Sequence, residues 1–186
     1  GLSAMNAVAV GDIASLTNGV LVETDLTLTT ADGGTTSAIA YAAGTAGSLT
    51  TTGGAKEIAA AINGAASGIG ITATASNSTT LSSLSAAGTV SFNLNGQAIS
   101  TAVTDQNDLS SVISAINGVQ GTTGVTASFT TNSSKSSITL STTDGRNIVL
   151  DTFANDTAGN DSVSFGGSTL TEGAAATISA VKTGTV

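Results

Sequence analysis

A stretch of this chain is written twice. The tetrapeptide Ala61-Ile62-Asn63-Gly64 returns 54 residues later as Ala115-Ile116-Asn117-Gly118. The same displacement lays Gly70-Ile71-Thr72-Ala73 over Gly124-Val125-Thr126-Ala127, Ile58 over Val112 and Ala59 over Ile113. One displacement that fits separate stretches points to duplication of a whole supersecondary unit. Whatever fold forms must hold that unit in two copies.

Each copy reads as one short helix among strands. Leu109, Val112, Ile113 and Ile116 fall at i, i+3, i+4 and i+7, one face of a helix. Ala55, Ile58, Ala59 and Ile62 repeat that spacing in the first copy. Asn107 or Asp108 is the expected cap of the second helix, and Thr51 or Thr52 of the first. Gly64 and Gly118 suit a left-handed residue just past each helix end. About three turns are too short to stand alone in water, so each helix needs a sheet beneath it.

The strand signal is alternation at period two. Val90, Phe92 and Leu94 share one face of Thr89 to Leu94, Asn95-Gly96 marks a tight hairpin, and Gln97 to Val103 returns. Val125, Ala127 and Phe129 alternate, then Ile138 and Leu140, and Asp144-Gly145 reads as a second hairpin turn before Arg146 to Leu150. In the first copy Leu26 and Leu28 precede Asp32-Gly33-Gly34, and Ile39 and Tyr41 follow, with an added Ala/Gly/Thr loop at Ala43 to Gly54. The expected fold is α+β and mainly antiparallel, with two similar ββαββ-type units, each carrying one short helix on a sheet. The divisions fall at 1–87, 88–154 and 155–186. The last holds strand pattern from Val163 to Val181, either a partial repeat or a partner of the N-terminal segment.

Composition narrows the chemistry. Cys, His, Pro and Trp are absent from the 186 residues, which excludes disulfides, thiolate nucleophiles, imidazole bases and Cys/His metal sites. Four Lys+Arg against twelve Asp+Glu give a net charge of −8, which repels phosphate backbones and argues against nucleic-acid partners. No apolar run approaches a membrane span, and no basic signal segment opens the chain. Ala, Gly, Ser and Thr dominate, so the core is expected to be thin and built from small side chains.

The residues from Gly88 to Phe153 carry a resemblance. Phe92-Asn93-Leu94-Asn95-Gly96 leads to Asp108-Leu109 at a helix start. Ala115-Ile116-Asn117, Gly124 to Ser128, Ile138-Thr139-Leu140 and Gly145-Arg146-Asn147-Ile148 follow. The pattern resembles the flagellin hook IN motif, found in the variable central region of bacterial flagellins and in the filament cap protein. The first copy, Leu26 to Leu84, resembles it more loosely. The resemblance implies an extracellular, structural, non-catalytic domain that decorates the flagellar filament and sets its antigenic surface, without cofactors. Its partners would be neighbouring subunits, engaged through long helical segments that this sequence lacks. Leu2, Met5 and Val8 hint only at a short helical stub. The filament cap and an extracellular adhesin or glycan-binding module are the rival readings.

Candidate sites each have a plainer structural reading. Gly159-Asn160-Asp161-Ser162-Val163 matches the core of a calcium-binding nonapeptide, but that site needs stacked copies, so a solvated turn is preferred. Asp144-Gly145 lacks EF-hand spacing. Glu23/Asp25 and Asp156/Asp161 are carboxylate pairs of the kind glycosidases use, without the aromatic platforms of a sugar cleft; Tyr41 is the one tyrosine. Asn77, Asn132, Asn155 and Asn160 open N-glycan sequons that chance explains. Phe92, Phe129 and Phe153 are assigned to the core. Lys56, Lys135, Arg146 and Lys182 are scattered and form no patch. No catalytic, cofactor or metal residue is assigned.

Overall fold

Alternation settles the strands. The computed structural model describes residue 33, residues 54–173 and residues 179–186. Strands β1 (Asn77–Ser82), β2 (Gly88–Leu94) and β3 (Gln97–Val103) precede the second helix. After it come β4 (Thr126–Thr131), β5 (Ser134–Thr142), β6 (Ile148–Asn155), β7 (Ser162–Phe165), β8 (Ser168–Thr171) and β9 (Ala180–Lys182). They form two antiparallel sheets, one in the order β4-β5-β1-β7-β8 and the other β3-β2-β6-β9. The helices are α1 (Ala55–Ala66), α2 (Ser110–Gly118) and the single turn α3 (Gln120–Thr123). The α+β, mainly antiparallel class expected from the sequence is what forms.

One face of each sheet is apolar, and the two faces meet. Leu81, Ile138, Leu140, Val163, Phe165 and Leu170 come from the first sheet. Val90, Phe92, Leu94, Ile99, Ile148, Leu150 and Phe153 come from the second. Leu109, Val112 and Ile116 of the α2 region join the same core, as the helical spacing predicted. Ile113 and Phe129 are half-buried at its rim. The expectation of a core of small side chains is corrected. Of the main core only Ala127 and Ala180 are alanines, because the few large apolar residues are concentrated on inward positions while Ser and Thr take the outward ones.

The Asn95-Gly96 turn forms as read. Both residues have positive φ, 47° and 80°, the geometry whose twist matches a two-residue hairpin, and Leu94 pairs with Gln97. The second hairpin is displaced from its expected place. Asp144-Gly145 does not join paired strands, because β5 belongs to one sheet and β6 to the other. It is the turn at which the chain changes sheets. The hairpin lies at Asn132-Ser133, where Thr131 pairs with Ser134 and no glycine advertises the turn. The order hairpin, helix, hairpin therefore holds for β2-β3-α2-β4-β5. The last hairpin, β7-β8, turns on Gly166-Gly167, both at positive φ.

Helix ends also differ from expectation. Gly64 lies inside α1 and Gly118 inside α2, neither left-handed. The left-handed residues come six later, at Gly70 (φ 72°) and Gly124 (φ 69°). A further short turn separates each helix from its true exit, a 3-10 turn over Ser67–Ile69 in the first copy and α3 in the second. The cap position of α2 is Leu109, not Asn107 or Asp108, and no side chain caps it; Asp108, one residue earlier, accepts the Ser110 N–H at Oδ1 at 3.0 Å. At α1 the cap residue is Gly54, whose N–H donates to Glu57 Oε2 at 2.9 Å. Thr51 and Thr52 lie outside the described residues, as do Leu2, Met5, Val8, Leu26, Leu28, Ile39 and Tyr41.

The repeated asparagine has one job in both copies. Asn63 Nδ2 donates to the Ala73 carbonyl at 2.9 Å, and its Oδ1 accepts the Ala73 N–H at 2.7 Å. Asn117 makes the same pair with Ala127, at 3.0 and 2.8 Å. A carboxamide has the donor and acceptor of a peptide unit, so each asparagine pairs with a backbone residue as an adjoining strand would. Ala127 sits on β4, an edge strand, whose outer groups would otherwise stand open. After this clasp the copies diverge. The second builds β4 and β5, whereas residues 71–75 form no strand and only β1 follows. Asn117→Ala is expected to lower stability by about 1–2 kcal/mol, two hydrogen bonds being lost with partial rescue by water. Urea unfolding checks it.

Candidate functional site

The outward face of the five-stranded sheet is the most distinctive surface among the described residues. Positions alternating with the buried ones are Thr126, Ser128 and Thr130 on β4, then Ser137, Thr139 and Ser141 on β5. Ser78, Thr80 and Ser82 on β1, Ser162 and Ser164 on β7, and Thr169 and Thr171 on β8 complete it. Each of these carries a hydroxyl, and Lys135 at the start of β5 is the one charged side chain that continues the same alternation. Neighbouring strands bond through these groups: Thr126 Oγ1 and Ser141 Oγ lie 3.0 Å apart, and so do Thr130 Oγ1 and Ser137 Oγ. A hydroxyl is a weak nucleophile without an adjacent base, and the chain has no histidine. Geometrically this face is a surface to be touched or hydrated.

The charged residues are used to fasten turns. Asp144 receives Lys56 Nζ from α1 at 2.8 Å and Arg146 Nη2 at 2.7 Å. Arg146 Nε also reaches both carboxylate oxygens, and Nη1 donates to the Thr123 carbonyl at 3.2 Å. One carboxylate thus gathers α1, the end of α3 and the sheet-changing turn. Lys56 and Arg146, read as scattered, meet here. Lys135 on β5 pairs with Asp108, just before α2, at 3.0 Å. The hydrogen bond from Ser110, with Lys135 beside it, pushes Asp108 down to about 2.

The Arg146 hydrogen bonds hold the Asp144 carboxyl well below the usual carboxylate range. Its folded value is below the ~3.9 of an unfolded aspartate, so the unfolded chain takes up the proton first as pH falls. The stabilisation is complete above about pH 4 and is lost as pH drops through the folded value. Its side chain is one-third exposed, at 34%, so the screened contribution is of order ~1 kcal/mol. Asp144→Asn is expected to flatten the acid limb of a stability-against-pH curve by that amount, measured by chemical denaturation from pH 7 to 2.

Asp161, the centre of the calcium-like pentapeptide, is 8% exposed and committed to protein. Its Oδ1 accepts the Ser85 hydroxyl at 2.9 Å, and its Oδ2 accepts that of Thr157. The carboxylate fastens the β6-to-β7 turn to the residues after β1. Asp156, its supposed catalytic mate, is exposed and accepts the Thr89 N–H at 2.6 Å, which lowers its pKa. Two different tethers thus occupy the pair. Glu23 and Asp25 lie outside the described residues. Among the described residues no group of three acidic side chains is placed to hold a metal ion. No described helix is long and apolar enough to cross a membrane.

The fold sorts the sequons. Asn77 is buried, with Nδ2 donating to the carbonyls of Arg146 and Lys182 at 3.0 and 2.8 Å. Asn155 is also buried, donating to Ala86 O at 3.1 Å. Only Asn132 and Asn160 present their amides outward. The feature that residue-by-residue reading missed is the asparagine clasp. Its signal was available as the constant spacing of ten residues between Asn63 and Ala73 and between Asn117 and Ala127.

Comparison with known proteins gives one family. The model of the flagellin hook IN motif matches residues 89–144. A search of curated proteins returned no match. The matched residues begin one position into β2 and end at the turn that leaves β5, so the family boundary and the structural boundary coincide. Residues 89–144, the unit β2-β3-α2-β4-β5, are similar to the flagellin hook IN motif, a likeness that supports a flagellin-related reading of this stretch.

Proposed function

We propose that this chain is an outward-projecting, non-catalytic domain of a flagellin, carried on the surface of the flagellar filament outside the cell. The hook IN match over an intact hairpin-helix-hairpin carries the reading. The surface fits that place. A face rich in hydroxyls and a net charge of −8 over the chain keep closely spaced identical domains hydrated and mutually repelled. Subunit contacts that build a filament would come from helical segments of the full-length protein. Residues 1–87, with the N-terminal segment, and 88–154 are proposed as two repeat units, and 155–186 as a closing β segment. The shared asparagine clasp in the first two supports that reading.

Antibodies raised against this domain provide the test. Gold-labelled antibody is expected along the whole length of intact flagella. Label confined to filament tips would transfer the domain to the cap protein, which shares the motif. Label on the cell body with bare filaments, together with calorimetric binding of host glycans, would place it in an adhesin.

A further inference from the structure

Asparagine followed directly by glycine is the step at which a side-chain amide is most readily attacked by its own backbone, because glycine offers no Cβ to hinder the approach. Three such steps lie among the described residues: Asn63-Gly64, Asn95-Gly96 and Asn117-Gly118. All three amides are held. Asn63 and Asn117 are clasped as described above. Asn95 Nδ2 donates to Thr123 O and Asn147 O at 3.0 and 3.1 Å, and its Oδ1 accepts the Val149 N–H at 2.8 Å.

The glycines separate into two kinds. Gly96 is required by its turn, at φ +80°. At Gly64 and Gly118 an added Cβ would meet nothing within 4 Å, and neither residue is left-handed. Glycine in a helix is less stable than alanine by about 1 kcal/mol. Neither packing nor helix stability accounts for these two glycines.

The three clasps are unequal. The Asn63 clasp lands on Ala73, in residues 71–75, which belong to no strand. Its helix rests on a satellite cluster around Ile62 and Ala66, in which Ile58, Ile69 and Ile71 are half-buried. Asn117 instead holds Ala127 in β4, which is paired along β5, and its helix buries Val112 and Ile116 in the main core. Asn95 is tied by three bonds, one to the end of α3 and two to residues at the start of β6. Local opening is most frequent where the least is buried.

We propose that Asn63 is a self-modification site, deamidated in the folded protein through local opening of α1, while Asn117 and Asn95 are protected. The Gly64 backbone nitrogen attacks Cγ of Asn63. The Cγ–Nδ2 bond breaks, ammonia leaves with the proton that the Gly64 nitrogen gives up, and a succinimide ring closes. Water opens the ring at either carbonyl, giving aspartate or isoaspartate. The net change is water in and ammonia out, with nothing oxidised or reduced. The product lacks the Nδ2 donor and sets a carboxylate against the Ala73 carbonyl, so the clasp cannot reform and α1 stays loosened.

The full chain is incubated folded, and in parallel in urea, at mildly alkaline pH, and followed by peptide-mapping mass spectrometry. In urea all three steps are expected to gain a mass unit at comparable rates. In the folded chain Asn63 is expected to react roughly tenfold faster than Asn117, the ratio for a local opening about 1.4 kcal/mol easier. Gly64→Ala, with its helix intact by circular dichroism, is expected to suppress the reaction at Asn63 and leave the other two unchanged. Equal rates at the three sites in the folded chain, a faster reaction at Asn117 or Asn95, or reaction in urea alone would each overturn the proposal.

Discussion

Gly145→Ala is expected to destabilise the chain by about 3 kcal/mol or more, a large share of a stability in the usual range of ~5–15 kcal/mol. Two costs coincide there. The residue has φ +74°, where a side chain is strained. Its Cβ would also stand 2.4 Å from Ala75 Cβ, 2.9 Å from Ala75 C and 3.0 Å from Ser76 N. The obstacle is mostly main chain, fixed by the bridge in which Ser76 and Thr185 exchange N–H to carbonyl bonds of 3.0 and 2.8 Å. No rotamer can move it aside. A fall of about 6–12 °C in the thermal midpoint is the expected readout. A midpoint within a few degrees of the parent would show that the junction is looser than these distances say.

Adjacent residues on β5 should respond oppositely. Leu140→Ala removes a fully buried side chain from an interior strand, between Ala127 on β4 and Thr79 on β1, and is expected to cost about 2–5 kcal/mol. Thr139→Ala, one residue earlier on the hydroxyl face, is expected to change stability by no more than about 0.5 kcal/mol. Urea midpoints of the two variants measure the contrast. Similar effects at both positions would mean that the outer face is covered in solution.

The particulars show where sequence reading succeeds. Val90, Phe92 and Leu94 were legible because alternation reports a one-sided environment, and Asn95-Gly96 because positive φ at two successive positions restricts the residues allowed. The Asn132-Ser133 turn was hidden because it uses no residue of special conformation. Asp144-Gly145 misled for the complementary reason. Its glycine is demanded by a close approach between distant segments, a tertiary fact that looks like a local one. The exits of the helices shifted from Gly64 and Gly118 to Gly70 and Gly124 because a second turn intervenes, and turn length has little signature in composition. The meeting of Lys56 with Arg146 on Asp144 could not be foreseen from positions ninety residues apart without knowing which strands change sheets.

The anchoring of the basic side chains carries a last consequence. Trypsin-like proteases cut only after lysine or arginine, and this chain offers four such bonds. Lys56 is in α1, Lys135 in β5, Arg146 in the sheet-changing turn and Lys182 in β9. A protease needs an extended, accessible segment, so digestion must wait for the helix to melt, a strand to peel away or the Arg146 turn to open. Slow cleavage by trypsin-like proteases at these four bonds is what such placement favours, without a single cross-link.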